Sequence, residues 1–260
     1  MPRIIGIVSG KGGVGKTTLV ANLGVALSRF GRRVTLVDCN VTASHLGFCF
    51  GLFYYNKTLN HVLRKEATLP EALYFHSSGV KIIPASLELE QLTGLEINEL
   101  KSSIECIENT DIVLLDSAPG FGREAMSVLN SSSEVIFITT PHMNAIADIV
   151  RGYKIIKQMD IIPLGVVLNM VRKSTFELTD RDVEELTGLP VIAKIPFDIN
   201  VQKSLARGIP TVLYKSYTPS SVETMKLASG VLGEYYSPPS IFSRIYEYLK
   251  ALIEPKPFLA

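Results

Sequence analysis

The chain has 260 residues with a formal net charge of +1, and 47% of its residues are hydrophobic while only 20% are charged. This length suits one α/β domain or two small ones, with enough apolar residues for a large core. No apolar run approaches the roughly 18 residues of a membrane-spanning helix. The first apolar run is too short for a signal peptide, so we expect a cytosolic protein. The small net charge argues against a general attraction to nucleic acid, and three cysteines without a C-x-x-C pair argue against a disulfide framework or a metal site.

A glycine-rich segment, GKGGVGKTT, lies close to the start of the sequence. Its spacing of a glycine, four residues, a second glycine, a lysine and a threonine is typical of a phosphate-binding P-loop. Glycines allow backbone N–H groups to turn towards a polyphosphate, and the helix that follows directs its positive end at the same group. Residues 3–9 predict the buried strand before such a loop, and leucines at helical spacing from Leu19 predict the helix after it. The predicted nucleotide-binding residues of the loop are Gly10, Lys11, Gly12, Gly13, Val14, Gly15, Lys16, Thr17 and Thr18.

Side chains from three segments are predicted to act on the phosphates and on their metal ion. We expect Lys16 to contact the β- and γ-phosphates and the Thr17 hydroxyl to bind Mg²⁺. The apolar segment 111–116 predicts a strand that delivers Asp116, whose carboxylate would support the same ion through a water molecule. A strand that ends at Asp38 places a second acid at the edge where α/β sheets bind ligands.

Apolar segments and helical patterns alternate along the rest of the sequence, which predicts a doubly wound α/β domain with a mostly parallel sheet. Strands are predicted at 34–38, 80–86, 134–141, 164–169 and 190–198. Helices are predicted at 58–63, 69–73, 145–159 and 218–236. Acids and leucines at helical spacing predict that segment 87–107 is a helix that crosses over the sheet.

Lys11 is a second lysine within the loop, and with it the sequence KGGVGKTT fits the pattern K-G-G-x-G-K-T-[ST]. In this respect the chain resembles the deviant Walker A ATPases of the MinD/ParA family. The resemblance covers most of the chain, since DSAPG at 116–120 and TTP at 139–141 also correspond to segments of MinD-like proteins. It implies a three-layer α/β/α P-loop NTPase domain of the SIMIBI type over residues 1–236, with ATP and Mg²⁺ as ligands. It also implies a homodimer with ATP, in which Lys11 reaches the nucleotide of the partner subunit.

Asp38 and Asn40 occupy the switch I position, where the family usually has two aspartates separated by one residue. Asp38 keeps the first acid, and the resemblance implies that it helps to hold the metal ion and to order the attacking water. Asn40 replaces the second acid with an amide, which can still orient a water molecule because phosphoryl transfer depends on positioning and charge stabilisation. We therefore expect slow hydrolysis, and a nucleotide switch with little turnover is the alternative.

The resemblance assigns five further residues to nucleotide binding. The Gly120 N–H would sense the γ-phosphate, and Asn169 stands where MinD-like proteins place the asparagine that reads adenine. An ordinary asparagine at the end of a strand is the alternative for Asn169. The backbone of Pro196, Phe197 and Asp198 would flank the adenine ring.

Residues 237–260 differ in character from the sequence before them. Ser237, Pro238 and Pro239 predict a short, stiff linker, and residues 241–253 predict an amphipathic helix. MinD proteins end in such a helix, which binds membrane reversibly. Here two basic residues are balanced by two acidic ones on the polar face, which weakens attraction to anionic lipid. Binding to a membrane surface, packing on the protein's own domain and binding to a partner's groove are the three alternatives.

The resemblance implies a MinD-like ATPase that positions other cell components, interacts with a regulatory protein and is reset by slow ATP hydrolysis. Its location would be the cytoplasm or the inner face of the cell membrane. A ParA-like partitioning ATPase that binds DNA is the alternative, although the near-neutral charge and the amphipathic tail argue against DNA. An iron–sulfur carrier would need the missing C-x-x-C, and a GTP-specific P-loop protein would need an N-K-x-D motif that this sequence lacks.

Overall fold

The structure is a computed structural model that describes residues 2–88, 94–238 and 240. Within these residues the chain forms one eight-stranded sheet. Its strands are β1 (Arg3–Val8), β2 (Val34–Asp38), β3 (Tyr74–Phe75), β4 (Lys81–Ile83), β5 (Ile112–Asp116), β6 (Glu134–Thr139), β7 (Ile162–Val171) and β8 (Val191–Pro196). Their order across the sheet is β3-β4-β2-β5-β1-β6-β7-β8, and all neighbours are parallel except β3 and β4.

Helices cover both faces of this sheet. They are α1 (Lys16–Arg29), α2 (Leu59–Leu63), α3 (Leu100–Glu105), α4 (Arg123–Ser131), α5 (Met143–Ile156), α6 (Asp180–Thr187), α7 (Ile199–Leu205), α8 (Thr211–Tyr214) and α9 (Pro219–Leu232). Successive residues of a strand join opposite cores, because their side chains point to opposite faces. Ile136 lies in the core that contains α1 and α9, whereas Phe137 lies in the core that contains α4 and α5. Burial on both faces explains why the strands are continuous apolar runs, and the predicted doubly wound fold is confirmed.

The central strands bring the predicted phosphate and metal residues to one edge of the sheet. Strand β1 leads into the P-loop, and its parallel neighbour β5 ends at Asp116, which lies in register with Ile7. Strand β2 ends at Asp38, which is in register with Asp116. Parallel strands present their carboxyl ends at the same edge, so the loop and the two acids meet there.

The segment 87–107 is less helical than its sequence pattern predicts. Among its described residues, helical structure begins with a 3₁₀ turn at Ile97–Glu99 and continues as α3. Gly94 has φ +71°, a left-handed conformation that does not continue an α-helix. The prediction of a helix over the whole segment is therefore wrong, although α3 does connect β4 to β5 and packs in the core of one sheet face.

Two other predicted helices are also shorter than expected. Segment 69–73 forms only a 3₁₀ turn, Leu69–Ala72, behind the capping residue Thr68. Helix α9 ends four residues before the predicted Tyr236, because Gly233 adopts the left-handed conformation that commonly ends a helix.

The predicted linker and tail are described only in part. Ser237 and Pro238 are not helical. The amphipathic helix predicted for 241–253 lies outside the described residues and stays a prediction. No helix in the described part of the chain is long and apolar enough to cross a membrane.

Candidate functional site

The P-loop joins the end of β1 to the start of α1. Gly13 and Gly15 have φ values of +78° and +91°, which L side chains rarely adopt. A Cβ atom at Gly15 would lie 2.3 Å from Nδ2 of Asn169, so no larger residue fits there. No side chain caps the start of α1. Its first N–H groups are therefore available to an anion, as a phosphate-binding loop requires.

Lys16 is buried at the start of α1, with 8% of its surface exposed. Burial lowers the pKa of its ammonium group, while the charges of Asp116 and Asp38 act in the opposite direction. Lys16 and Thr17 line a cleft of about 810 Å³ that extends from the P-loop to the loops after β2 and β5. A buried cation at the wall of such a cleft is suited to charge-assisted hydrogen bonds with phosphate oxygens.

Asp116 lies next to this cleft with 1% of its surface exposed, and neither of its carboxylate oxygens has a hydrogen-bond partner. Burial raises the pKa of this carboxyl, and the charge of Asp38 raises it further, while Thr17 and Lys16 lower it. A buried carboxylate without partners is costly unless a ligand satisfies it. Mg²⁺ or its bound water would do so, together with the nearby Thr17 hydroxyl. No group of three or more His, Cys, Asp or Glu side chains in the described residues is arranged to hold a metal ion.

Asp38 is fully buried and anchors the loop that follows β2. Its Oδ2 atom accepts hydrogen bonds from the Ser44 hydroxyl at 2.8 Å and from the backbone N–H groups of His45 and Leu46 at 3.1 Å each. Its Oδ1 atom accepts the Asn40 N–H at 3.1 Å. Burial raises the pKa of Asp38, and these four donors oppose the rise. Sequence reasoning assigned Asp38 to the metal and to water, and it missed this loop-anchoring contribution.

Asn40 lines the phosphate cleft, but its amide nitrogen is already bound. Nδ2 of Asn40 donates a hydrogen bond of 2.7 Å to the Ala43 carbonyl, within the loop that Asp38 anchors. A water molecule can still contact this side chain at its Oδ1 atom, as an acceptor, or at the second N–H of its amide, as a donor. The water-ordering role of Asn40 stays a prediction.

The Gly120 N–H donates a hydrogen bond of 2.9 Å to the Ser9 carbonyl at the end of β1. In this arrangement it does not point towards a phosphate, and contact with a γ-phosphate would require this bond to open. Gly120 has φ +80°, which a larger residue would resist. A second backbone bond, from the Ser117 N–H to the Ile7 carbonyl at 3.3 Å, also holds the loop after β5 against β1.

A second cavity, of about 280 Å³, adjoins the phosphate cleft and shares Gly15 and Thr18 with it as lining residues. Asn169 lines it and donates from Nδ2 to the Val14 carbonyl at 2.7 Å. Phe197 lines it as well, with the Arg172 guanidinium 3.9 Å from the ring centroid. Size, apolar walls and position next to Gly15 suit this cavity to an adenine base.

Asp198 forms part of the wall of the adenine cavity and is held by the elements around it. It caps α7 by accepting the Asn200 N–H at 2.9 Å, and it accepts the Ser220 hydroxyl at 2.8 Å. These bonds fix the turn after β8, so the predicted backbone of Pro196, Phe197 and Asp198 does line one wall. All three residues thus meet Asn169 and the P-loop in one place.

Several lining residues carry no motif and were missed by sequence reasoning. In the phosphate cleft they are Thr42, His45, Arg123 and Glu124. In the adenine cavity they are Asn22, Met170, Val201, Gln202, Ser220 and Thr224. Glycine–lysine spacing signals the P-loop, but single polar residues on separate helices give no comparable pattern. Only the fold brings them together.

Residues 5–212 match the family CbiA, the CobQ/CobB/MinD/ParA nucleotide binding domain. The chain belongs to this family. The matched range contains the P-loop and the acids at the ends of β2 and β5. It also contains the adenine cavity, apart from the cavity residues that belong to α9.

Solved structures of MinD proteins are similar to this MinD/ParA-family chain. The cell division ATPase MinD of Pyrococcus furiosus has a TM-score of 0.86 and 32% identity, over 90% of this chain and 99% of that one. MinD of Pyrococcus horikoshii, solved with Mg-ADP, has a TM-score of 0.85 and 33% identity, over 89% and 96% of the two chains. MinD from the MinC:MinD complex of Aquifex aeolicus has a TM-score of 0.77 and 25% identity, over 92% and 98%.

Membership in the MinD/ParA family identifies the protein as a P-loop ATPase with ATP and Mg²⁺ as its ligands. The predicted family, fold class and ligands are confirmed. MinD homologues also form complexes with other proteins. The roles given to single residues of this MinD/ParA-family ATPase stay predictions.

Proposed function

We propose that this ATPase acts as a MinD-like positioning protein: it binds Mg·ATP, closes into a homodimer, positions other components of the cell and is reset by slow hydrolysis. The observation that carries the proposal is Lys11. Its side chain is exposed, and in residues 2–88, 94–238 and 240 its ammonium group has no ion-pair partner. Lys16 already serves the protein's own phosphates, so Lys11 is free to contact the nucleotide of a second subunit.

Slow hydrolysis follows from the amide at position 40. Hydrolysis needs an ordered water molecule, and Asn40 offers it one acceptor atom, Oδ1, where an aspartate would offer two. A hydrolysis rate that is low by itself leaves room for acceleration by a regulatory protein. The nucleotide state would then set the lifetime of the dimer.

The location and the partners belong to the same proposal. We place the protein in the cytoplasm, with attachment to the inner face of the cell membrane through residues 241–253 when two tails are brought together by a dimer. A partner protein rather than DNA is the expected cargo, because the near-neutral charge provides no general attraction to phosphate backbones. A salt-dependent DNA-binding assay would separate this proposal from a partitioning role.

The experiment that tests the proposal compares Lys11→Ala with Lys16→Ala. The Lys11 variant should bind ATP with nearly unchanged affinity but remain monomeric by size-exclusion chromatography with ATP, and it should lose stimulated turnover. The Lys16 variant should lose ATP affinity itself, because a charge that contacts phosphate is removed. Lys101→Ala, at an exposed lysine of α3, serves as the control and should behave as wild type. Loss of ATP binding in the Lys11 variant, without a separate dimerisation defect, would contradict the proposal.

A nucleotide switch with little turnover is the second candidate, and the bound Asn40 amide favours it. Such a protein would dimerise with ATP but release it largely unhydrolysed. Single-turnover measurement on the wild-type protein separates the two candidates directly.

A further inference from the structure

Glu124 is a carboxylate in the phosphate cleft that no predicted role uses. It lies in the first turn of α4, immediately after the loop that follows β5. It is half-buried and lines the same cleft as Lys16, Thr17 and Asn40. Among the described residues no basic side chain forms an ion pair with it.

The surroundings of Glu124 place its charge close to the loop after β2. Its Oε2 atom accepts a hydrogen bond of 3.4 Å from the Thr42 hydroxyl. Burial raises the pKa of Glu124, the Thr42 hydroxyl lowers it, and the charge of Asp38 raises it further. The carboxylate therefore faces the loop that contains Asn40, and a bond of 3.4 Å is too long to occupy it fully.

Asn40 leaves the cleft without an acidic group at its own position. The Asn40 nitrogen is bound to Ala43, and the Asp38 carboxylate is occupied by four donors from the same loop. Asp116 faces the metal position. Both oxygens of Asp116 lack a hydrogen-bond partner too, but this acid is assigned to the metal ion. Glu124 is the one acid among the described residues that line the cleft.

We infer that Glu124 orders the attacking water and supplies the carboxylate that position 40 lacks. The inference rests on the ATP hydrolysis of the proposed function. In the step, the Glu124 carboxylate accepts a hydrogen bond from a water molecule, whose oxygen forms a bond to the γ-phosphorus. The bond from that phosphorus to the β–γ bridging oxygen breaks, and its electron pair stays on ADP. The water's proton passes to the carboxylate and from there to solvent, so the products are ADP, phosphate and one proton.

A purely structural role for Glu124 would be to connect Thr42 to α4, and two variants separate the roles. Glu124→Gln keeps an oxygen that can accept from Thr42 but removes the charge. Thr42→Val removes the hydrogen bond but keeps the carboxylate. Water ordering predicts the larger loss from Glu124→Gln, whereas a connecting role predicts the larger loss from Thr42→Val.

The decisive readout is the hydrolysis rate of a variant that has a carboxylate at position 40. In the double variant Asn40→Asp with Glu124→Gln, an acid stands where the family usually has one. If the missing function is a water-ordering carboxylate, this double variant should regain most of the lost rate. A structural defect caused by Glu124→Gln would not be repaired by a change at position 40.

The experiment measures single-turnover hydrolysis of Mg·ATP by the full-length protein, with ATP affinity measured in parallel. Glu124→Gln should hydrolyse ATP at least about tenfold more slowly than wild type. Its ATP affinity should stay within about twofold of the wild-type value. Thr42→Val should lose about threefold at most, and Glu105→Gln, an exposed acid of α3, should match wild type.

The possible outcomes separate the role of Glu124 from the proposed function of the protein. Wild-type hydrolysis in Glu124→Gln, an equal or larger loss in Thr42→Val, or no recovery in the double variant would overturn the inference. A wild-type protein that hydrolyses ATP without dimerising would contradict the proposed function and leave this inference standing. A wild-type protein that binds ATP without hydrolysing it would contradict both.

Discussion

The adenine cavity and the phosphate cleft meet at Gly15 and Thr18, but an acid beside the cavity and an acid beside the cleft differ in their hydrogen bonds. In the adenine cavity Asn169 is bound to Val14, and Asp198 is bound to Asn200 and Ser220. In the phosphate cleft both oxygens of Asp116 have no hydrogen-bond partner, and Lys16 is buried beside it. Satisfied groups fix the shape of a wall, whereas unsatisfied groups gain their partners only from a ligand. The base side is therefore already formed, and the phosphate side is stabilised by nucleotide and metal.

The largest effect is expected at Gly15, one of the residues that line both the cavity and the cleft. Gly15→Ala places a Cβ atom 2.3 Å from Nδ2 of Asn169 at φ +91°. Backbone strain there costs about 1–3 kcal/mol, and Asn169 must move as well. We expect ATP affinity to fall about 100-fold, as measured by isothermal titration calorimetry.

Gly230→Ala is the control for Gly15→Ala. Gly230 lies within α9, where an added Cβ atom meets nothing within 4 Å. This variant should bind ATP normally and be more stable by about 0.5–1 kcal/mol, because alanine favours a helix. Equal ATP affinity in both variants would contradict a shared wall between cavity and cleft.

Asp116→Asn tests the phosphate cleft, where the Asp116 carboxylate has no hydrogen-bond partner. It should raise the stability of the apoprotein and lower the further stabilisation by Mg·ATP. An uncharged amide removes the cost of a buried carboxylate without partners, so the apoprotein should gain about 1–2 kcal/mol. For a chain of this size that raises Tm by about 2–4 °C per kcal/mol. The further rise in Tm caused by Mg·ATP should shrink or vanish, because the metal loses its support. An apoprotein that melts below wild type would contradict the reading of Asp116 as an unsatisfied group.

Asp198→Asn is the matched change in the adenine cavity, where the carboxylate is hydrogen-bonded. It should have the smallest effect of these variants on the free energy of unfolding. Its amide keeps one acceptor oxygen, so either the two bonds from Asn200 or the two bonds from Ser220 are lost, at about 1 kcal/mol of stability. Burial raises the pKa of Asp198, but these bonds outweigh burial and leave the pKa below its ordinary value of 3.8. A lowered pKa stabilises the folded state above pH 3.8, and this contribution disappears as the pH falls through the folded value.

The pH dependence of the unfolding free energy checks whether the Asp198 carboxylate contributes stability that is lost in acid. The difference in unfolding free energy between wild type and Asp198→Asn should be constant near neutral pH and should shrink below about pH 4. Denaturant titrations at several pH values measure it. A difference that grows in acid would show that the Asp198 carboxyl is not stabilised by its hydrogen bonds.

Local sequence patterns were sufficient to predict those elements whose structure depends mainly on neighbouring residues. The P-loop, its flanking strand and helix, and the strand ending at Asp116 depend on neighbouring residues, and their predicted positions agree with the structure. Gly94 interrupts a segment whose leucines have helical spacing, which shows that one backbone conformation can override a periodic pattern. The tail at 241–253 lies outside the described residues and remains a sequence prediction.

Contacts between distant segments could not be predicted in the same way. Thr42 and Glu124 meet only because β2 and β5 end beside each other. Asp38 looks like a metal ligand in sequence, yet it anchors the loop at 40–46 because the chain folds back onto it. Residues such as Ser220 and Thr224 reach the adenine cavity from α9, more than two hundred residues after the P-loop. Their chemistry is common, and only the sheet order makes them neighbours.

The hydrogen bond from Asn169 to Val14 has a thermodynamic consequence for how this protein reads a nucleotide. One end of the bond belongs to the wall that receives the base, and the other belongs to the loop that receives the phosphates. A base that orders Asn169 also restricts the loop, so part of the entropy that phosphate binding would lose is already lost. By reciprocity, phosphates that order the loop prepare the base site by the same free energy. If the base contacts Asn169 as predicted, base and phosphates should be recognised as one coupled unit, and the affinity for ATP should exceed what its two halves would give separately.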